Sequence, residues 1–193
     1  PAQQQFLPRS TLPIYHTLAG QTNLLGESPP EIGETVFDNG ALRVWHRGDG
    51  VLIASFLTKL HTVSEAVLDG LQRAVDIAEQ DFMGLVIWHD APFSVGADLS
   101  KVVPSVQAGE IVAIENLVRK FQVTTQRLQN AYVPTVAAVQ GLALGGGCEI
   151  LMYCHAVVAA FESYIGLVET GVGLIPAGGG CKLLAQRAAS RAP

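Results

Sequence analysis

Charge is scarce in this chain. Only 15% of its 193 residues are Asp, Glu, Lys or Arg, and 12 basic side chains stand against 17 acidic ones, a net charge of −5. The missing basic surplus argues against a dedicated nucleic-acid binder, which needs one to meet phosphates. Disorder is excluded as well, because it pairs high charge with low hydrophobicity, and 49% of these residues are hydrophobic. Long apolar runs are lacking: the stretch Thr135 to Val139 falls far short of the roughly 20 residues that span a bilayer. No basic segment followed by an apolar one opens the sequence, so a cytoplasmic protein is expected. Cysteine is confined to Cys148, Cys154 and Cys181, an odd set that suits packing in a reducing compartment better than a disulfide framework. There is no initiator Met, and the chain stops just after a basic run. Both features lead us to expect a piece of a longer protein, with low charge reflecting surfaces covered by further protein.

What is present has a clear order. Residues 1–32 carry Pro, Gln and Ser without periodicity and close on Pro29-Pro30, which reads as an extended arm or linker ahead of one domain over 33–193. From Glu34 short β-type runs follow at Thr35–Asp38, Leu42–His46 and Leu52–Phe56, split by Asn39-Gly40 and Gly48-Asp49-Gly50. Asn-Gly is the strongest short hairpin signal. Thr62 with Glu65 forms a capping-box pattern and predicts a helix from there to about Asp81. Gly84–Trp88 and Thr135–Gln140 read as buried strands, with a loop over Asp90–Leu99 and an amphipathic helix over Ile111–Leu128. Beyond them come a helix from about Cys148, strands at Ala156–Ala160 and Ser163–Gly166, and a helix over Lys182–Arg187. Alternating strands and helices predict an α/β fold with parallel pairing.

Familiar nucleotide and nucleophile patterns fail on spacing. Gly145-x-Gly147 lacks the third glycine of a dinucleotide fingerprint, because position 150 is Ile. Gly178-Gly179-Gly180-Cys181-Lys182 has no Ser or Thr after its lysine, as a phosphate loop requires. A nucleophile elbow around Ser94 would need Gly where Pro92 stands. His46, His61, His89 and His155 are scattered, and Cys154-His155 has no second pair to complete a zinc site. They read as structural residues, and no metal is expected.

Two glycine-bearing segments and two glutamates remain. Gly145-Gly146-Gly147 sits where a strand gives way to a helix, so the first helical N–H groups lack intrahelical partners. Gly96-Ala97 follows the strand at 84–88 and offers another amide. Two such donors suit an oxyanion, though tight turns alone would also explain the glycines. Glu149 and Glu169 lie among apolar neighbours. A carboxyl that loses hydration suits acid–base work, while a helix start pulls Glu149 the other way. A solvated helix position is the ordinary alternative for a single Glu.

Three segments, Ala91–Leu99, Pro134–Glu149 and Tyr164–Glu169 with Gly173–Gly179 after it, together resemble the crotonase (enoyl-CoA hydratase/isomerase) superfamily in order and spacing. Over about Glu34 to Arg187 the chain resembles that family. It is similar in particular to the hydratase-like part of multifunctional proteins that also carry a 3-hydroxyacyl-CoA dehydrogenase. No dehydrogenase fingerprint is present in the chain itself. The resemblance implies an α/β crotonase-like ββα spiral whose parallel sheets stack at an angle, with the C-terminal helices that cover the acyl pocket and build oligomers missing after Pro193. It further implies oxyanion-hole amides at Ala97 and Gly146, catalytic glutamates at Glu149 and Glu169, and a water-positioning amide at Ala177, where hydratases carry glycine. Lys59, Leu60 and His61 would run beside coenzyme A, with His61 in place of the family's usual Asn, and Lys101 would meet one of its phosphates. Leu167-Val168 replaces the usual Gln-Pro, which implies a different acyl pocket.

The activity implied is hydration of trans-2-enoyl-CoA in fatty-acid β-oxidation, by a lyase whose only coenzyme is the coenzyme A of its substrate. A fused dehydrogenase and a homo-oligomer are the expected partners. An enoyl-CoA isomerase of the same fold, or a non-catalytic acyl-CoA or partner-binding domain, is the alternative.

Overall fold

Asn39-Gly40 turns β1 (Glu34–Asp38) back onto β2 (Leu42–His46) in antiparallel register. The Asn39 carboxamide accepts from the amides of Ala41 and Leu42 at 3.0 and 2.9 Å, and its Nδ2 donates to Ala66 O at 2.7 Å. The structure, a computed structural model, describes residues 33–190 of this chain. The arm expected over residues 1–32 lies outside the described residues, as do residues 191–193.

β2 pairs antiparallel with β3 (Val51–Phe56), and from β3 onward the sheet is parallel: β3 to β4 (Gly84–Ile87), β4 to β5 (Thr135–Val139), and β5 to β7 (Ala156–Ala159). The six-stranded sheet is therefore mixed: antiparallel across the hairpins that the turn residues signal, and parallel where helices join the strands. Its first two pairings are hairpins too short to reverse direction twice, whereas parallel neighbours need a crossover. Helix α1 (Glu65–Asp81) crosses from β3 to β4, and α2 (Leu99–Gln107) with α3 (Ile111–Gln129) crosses from β4 to β5. A second sheet pairs β6 (Leu142–Leu144) with β8 (Tyr164–Gly166) in parallel. Two helices complete the described chain, α4 (Gly146–Met152) and α5 (Gly180–Ser190).

The core lies between α1 and the sheet. Val67, Leu71, Val75 and Ala78 present the expected stripe and are fully buried with Leu42, Val44, Leu52 and Leu85. The helix cap falls two residues later than expected. Ser64, not Thr62, is its cap, accepting from Val67 N, while the Thr62 hydroxyl turns back to Lys59 O. α3 is bolted to α1 by charge. Arg127 bonds Glu79 and Asp76 (Nη1 to Glu79 Oε1 2.7 Å; Nη2 to Asp76 Oδ1 2.9 Å), and Lys120 reaches Asp69 at 2.8 Å. The Arg127 guanidinium holds the Glu79 carboxyl down at about 2.

Two elements depart from the sequence reading. Residues 99–107 form α2, where no helix was expected before Ile111; Asp98 caps it by accepting from Ser100 N at 3.2 Å. Leu142–Leu144, where no strand was expected, is β6. Cys148 and Cys154 are buried packing residues, and burial pushes their thiols up to about 11 and 12. Cys181 is exposed and is no part of the core. No described helix is long and apolar enough to cross a membrane.

Candidate active site

In the loop after β4 the amides on either side of Ala97 are claimed. Val95 N donates to Leu60 O, Gly96 N to Ser94 Oγ, and Asp98 N to Val63 O. Among the described residues the Ala97 N–H between them has no acceptor. Gly96 adopts φ +97°, a conformation glycine takes without cost, and this turns the Ala97 peptide out of the ladder. Ser94 anchors the loop: it is fully buried, exchanges backbone bonds with Leu142 and Leu144 of β6, and donates Oγ to His61 O at 2.7 Å.

β6 then leads into α4 through Gly145, at φ +51° and ψ −123°. A side chain there would stand 3.1 Å from Glu169 Oε1. Gly146 opens the helix, so its N–H has no intrahelical partner, and none is supplied from elsewhere among the described residues. The two free amides are neighbours: a β-carbon on Gly146 would lie 3.5 Å from Ala97 N, and one on Gly96 would lie 3.3 Å from Gly146 N.

Glu149, one turn into α4, is 2% exposed. Its Oε2 accepts from Gly178 N at 3.0 Å and its Oε1 from Gly180 N at 2.8 Å. Burial raises its pKa above the ordinary value; these amides oppose the rise, and the nearby Glu169 charge adds to it. The glycine loop is held from the other side through its carbonyls. Gln122 donates to Ala177 O, Thr125 to Gly178 O, and the Tyr153 hydroxyl to Gly179 O, at 2.8, 2.9 and 3.0 Å. Capping by Glu149 also explains why α5 begins at Gly180, earlier than the expected Lys182.

Glu169 lies in a short 3₁₀ turn, Glu169–Val172, after β8. Its Oε2 is shielded from solvent and has no hydrogen-bond partner among the described residues. Ala97, Gly146, Glu149, Glu169 and Ala177 all line one cavity of about 240 Å³. The rest of its wall is mainly aliphatic, with Val102, Ile114, Leu117 and Phe121 from α2 and α3 and Leu174 and Ile175 from the loop before α5. Two free N–H groups beside two carboxyl groups in an apolar cavity can stabilise a developing oxyanion and move protons next to it. Among the described residues no His, Cys, Asp and Glu side chains are grouped to hold a metal ion.

The family described as enoyl-CoA hydratase/isomerase matches residues 57–192. This chain belongs to it. A Bacillus subtilis protein named "Probable 3-hydroxyacyl-CoA dehydrogenase" is 36% identical over 138 residues, which are 71% of this chain and 18% of that protein. Human mitochondrial methylglutaconyl-CoA hydratase is 35% identical over 154 residues, 74% of this chain and 44% of that enzyme. The chain thus spans less than a fifth of the first relative and under half of the second. Among solved structures, enoyl-CoA hydratase from Bacillus anthracis superposes with a TM-score of 0.67 at 25% identity, covering 76% of this chain and 57% of that one. Pseudomonas aeruginosa DspI gives 0.69 at 26%, covering 77% and 61%. The fold is the crotonase fold of this family.

Not every residue implied by the family resemblance reaches the cavity. Lys59, Leu60 and His61 form a 3₁₀ turn away from its wall. Lys59 and Leu60 are exposed, and the His61 ring is spent on Pro92 O at 2.6 Å. Lys101 lies in α2, and its side chain is outside the described residues. In this hydratase/isomerase chain the sequence reading missed Phe121 and Thr125 of α3 and Tyr153 at the end of α4, which shape or hold the site. The apolar stripe of α3 marked Phe121 as inward; nothing local marked Thr125 or Tyr153.

Proposed function

We propose that this chain adds water across the double bond of a trans-2-enoyl-CoA to give the 3-hydroxyacyl-CoA. The observation that carries the reading is the convergence of two unclaimed amides and two carboxyl groups on one apolar cavity. The amides of Ala97 and Gly146 take the thioester oxygen and stabilise it as the oxygen of water bonds to the β-carbon and charge moves onto the thioester. Glu149 and Glu169 hold and activate that water, one accepting its proton and the other delivering a proton to the α-carbon. A carboxylate has about four acceptor sites, so Glu149 keeps capacity for water beside its two amide bonds. Ala177, on the same wall, offers its N–H to the water. The step balances with water, these two carboxyl groups and the substrate's own coenzyme A.

The acyl group we assign is uncharged and aliphatic. The described lining includes Glu65, Asp98, Glu149 and Glu169 and no Lys, Arg or His, so an acyl chain ending in a second carboxylate would meet like charge in an apolar wall. That sets the reading apart from the methylglutaconyl substrate named for one relative. Main chain at Lys59 and Leu60, with Lys101, serves the coenzyme A end. We place the chain in fatty-acid β-oxidation, in the cytoplasm, as the hydratase part of a larger homo-oligomeric protein with a dehydrogenase. The dehydrogenase name of the Bacillus subtilis relative supports the dehydrogenase part of this reading. The test is loss of the enoyl thioester absorbance when the protein meets crotonyl-CoA, set against a methylglutaconyl thioester. Turnover of the first and at least a tenfold lower kcat/KM for the second is expected; the reverse order overturns the assignment.

A further inference from the structure

The turn at 59–61 carries two successive non-glycine residues in the left-handed region, Leu60 (φ 52°, ψ 22°) and His61 (φ 52°). Such conformations are uncommon for side-chain-bearing residues and persist where the surroundings demand them. Here they aim His61 at the loop that delivers the Ala97 amide. Facing a carbonyl oxygen, Nδ1 of His61 must carry its proton, and it donates to Pro92 O at 2.6 Å. The His61 carbonyl accepts from Ser94 Oγ at 2.7 Å, and that same Oγ accepts from Gly96 N at 3.1 Å. His61 thus grips the loop twice, and the second grip ends one residue before Ala97. His89 adds a parallel bond from its Nε2–H to Phe93 O, its Nδ1 being taken by Phe56 N–H, and the two imidazoles lie 4.1 Å apart.

We propose that His61 is a positioning residue for hydration, holding the 92–97 loop so that the Ala97 N–H stays beside the Gly146 N–H, and is not a coenzyme A contact. The inference rests on the oxyanion-hole reading above. A misplacement of about 1 Å can cost on the order of 10² in rate.

The experiment uses His61→Ala and His61→Asn. Asn Nδ2 occupies the place of His Nδ1, and Asn tolerates the left-handed region. A 2,4-dienoyl-CoA serves as probe, because its absorbance moves to longer wavelength when two donors polarise the thioester carbonyl. His61→Ala is expected to lose much of that shift and to lower kcat for crotonyl-CoA about 10- to 100-fold with KM within about twofold; His61→Asn should restore both. If His61→Ala does not fold, His61→Gln replaces it, since its amide nitrogen falls at the Nε2 position and misses Pro92. An unchanged shift and kcat, or a rise in KM alone, overturns the proposal. Absence of any shift in the unaltered protein overturns the oxyanion reading and this proposal with it.

Discussion

Glu149 and Glu169 face one cavity in opposite states of hydrogen bonding. Both oxygens of Glu149 accept backbone amides, from Gly178 and Gly180, whereas Glu169 Oε2 is shielded and without a partner among the described residues. The first carboxyl is clamped by a loop that is itself tied to Gln122, Thr125 and Tyr153; the second is packed beside Gly145. Two chemically identical groups therefore differ in how much each can move and accept.

Replacing either carboxyl by its amide is expected to suppress hydration by roughly 10²–10⁴. The double variant should be little slower than the slower single one, because groups that act as a unit are not additive. Single-turnover rates with crotonyl-CoA check this.

The same two variants should part company in stability. A Gln at 149 has one acceptor oxygen for two amide donors, and leaving a buried N–H unmet costs about 1–3 kcal/mol. Glu169→Gln breaks no bond within the described residues and should be near neutral. Urea unfolding of both variants measures the difference.

Burial raises the Glu149 pKa, and the Glu169 charge adds to the rise. If its ionised form takes the proton of water, the acid limb of the rate profile lies above the ordinary 4.5. Glu169→Gln removes the added repulsion and should move the limb of the residual activity downward. Ionising a group whose folded pKa is raised also costs stability as pH climbs through that value.

Gly146 opens α4, where proline's φ is compatible with the helix. Gly146→Pro therefore removes the N–H, and Gly146→Ala keeps it while placing a β-carbon 2.9 Å from Phe121 Cζ. One oxyanion donor is worth on the order of 10²–10³ in rate, so the proline variant should fall below the alanine variant by about that factor. Equal rates would remove Gly146 from the oxyanion site.

His89 is buried, and burial chiefly lowers its pKa from 6.5 to about 4. Below 6.5 the unfolded chain takes up a proton the folded one refuses. Stability should fall by about 1.4 kcal/mol per pH unit between 6.5 and about 4 from this residue, and then level off. Imidazole NMR titration read beside urea unfolding at each pH tests the link.

Much of this architecture is local and therefore visible in the residues. β2 runs from Leu42 to His46 as its alternation and the Asn39-Gly40 turn imply, and the α1 stripe falls where its spacing puts it. Glu149, Glu169, Ala97, Gly146 and Ala177 come together as the three ordered segments imply. What stayed hidden is non-local. β6 is a strand because β8, some twenty residues on, and Ser94, far ahead of it, both bond its backbone. The amides that clamp Glu149 belong to glycines whose sequence says nothing of direction. α2 had one local sign, Asp98 two residues before Ser100, easily lost beside Pro104 within the helix. His61 gave no sign of its ring's partner, because Pro92, which its Nδ1 meets, lies 31 residues on in the chain.

The central claim is a two-carboxylate hydration supported by two amides, and crotonyl-CoA tests it most directly. The unaltered protein should bleach the enoyl thioester absorbance and yield 3-hydroxybutyryl-CoA, and Glu149→Gln should do so at least 10²-fold more slowly while still binding a non-reactive acyl-CoA. Hydration that survives intact in Glu149→Gln, or an unaltered protein that binds the thioester and leaves its absorbance unchanged, would contradict it.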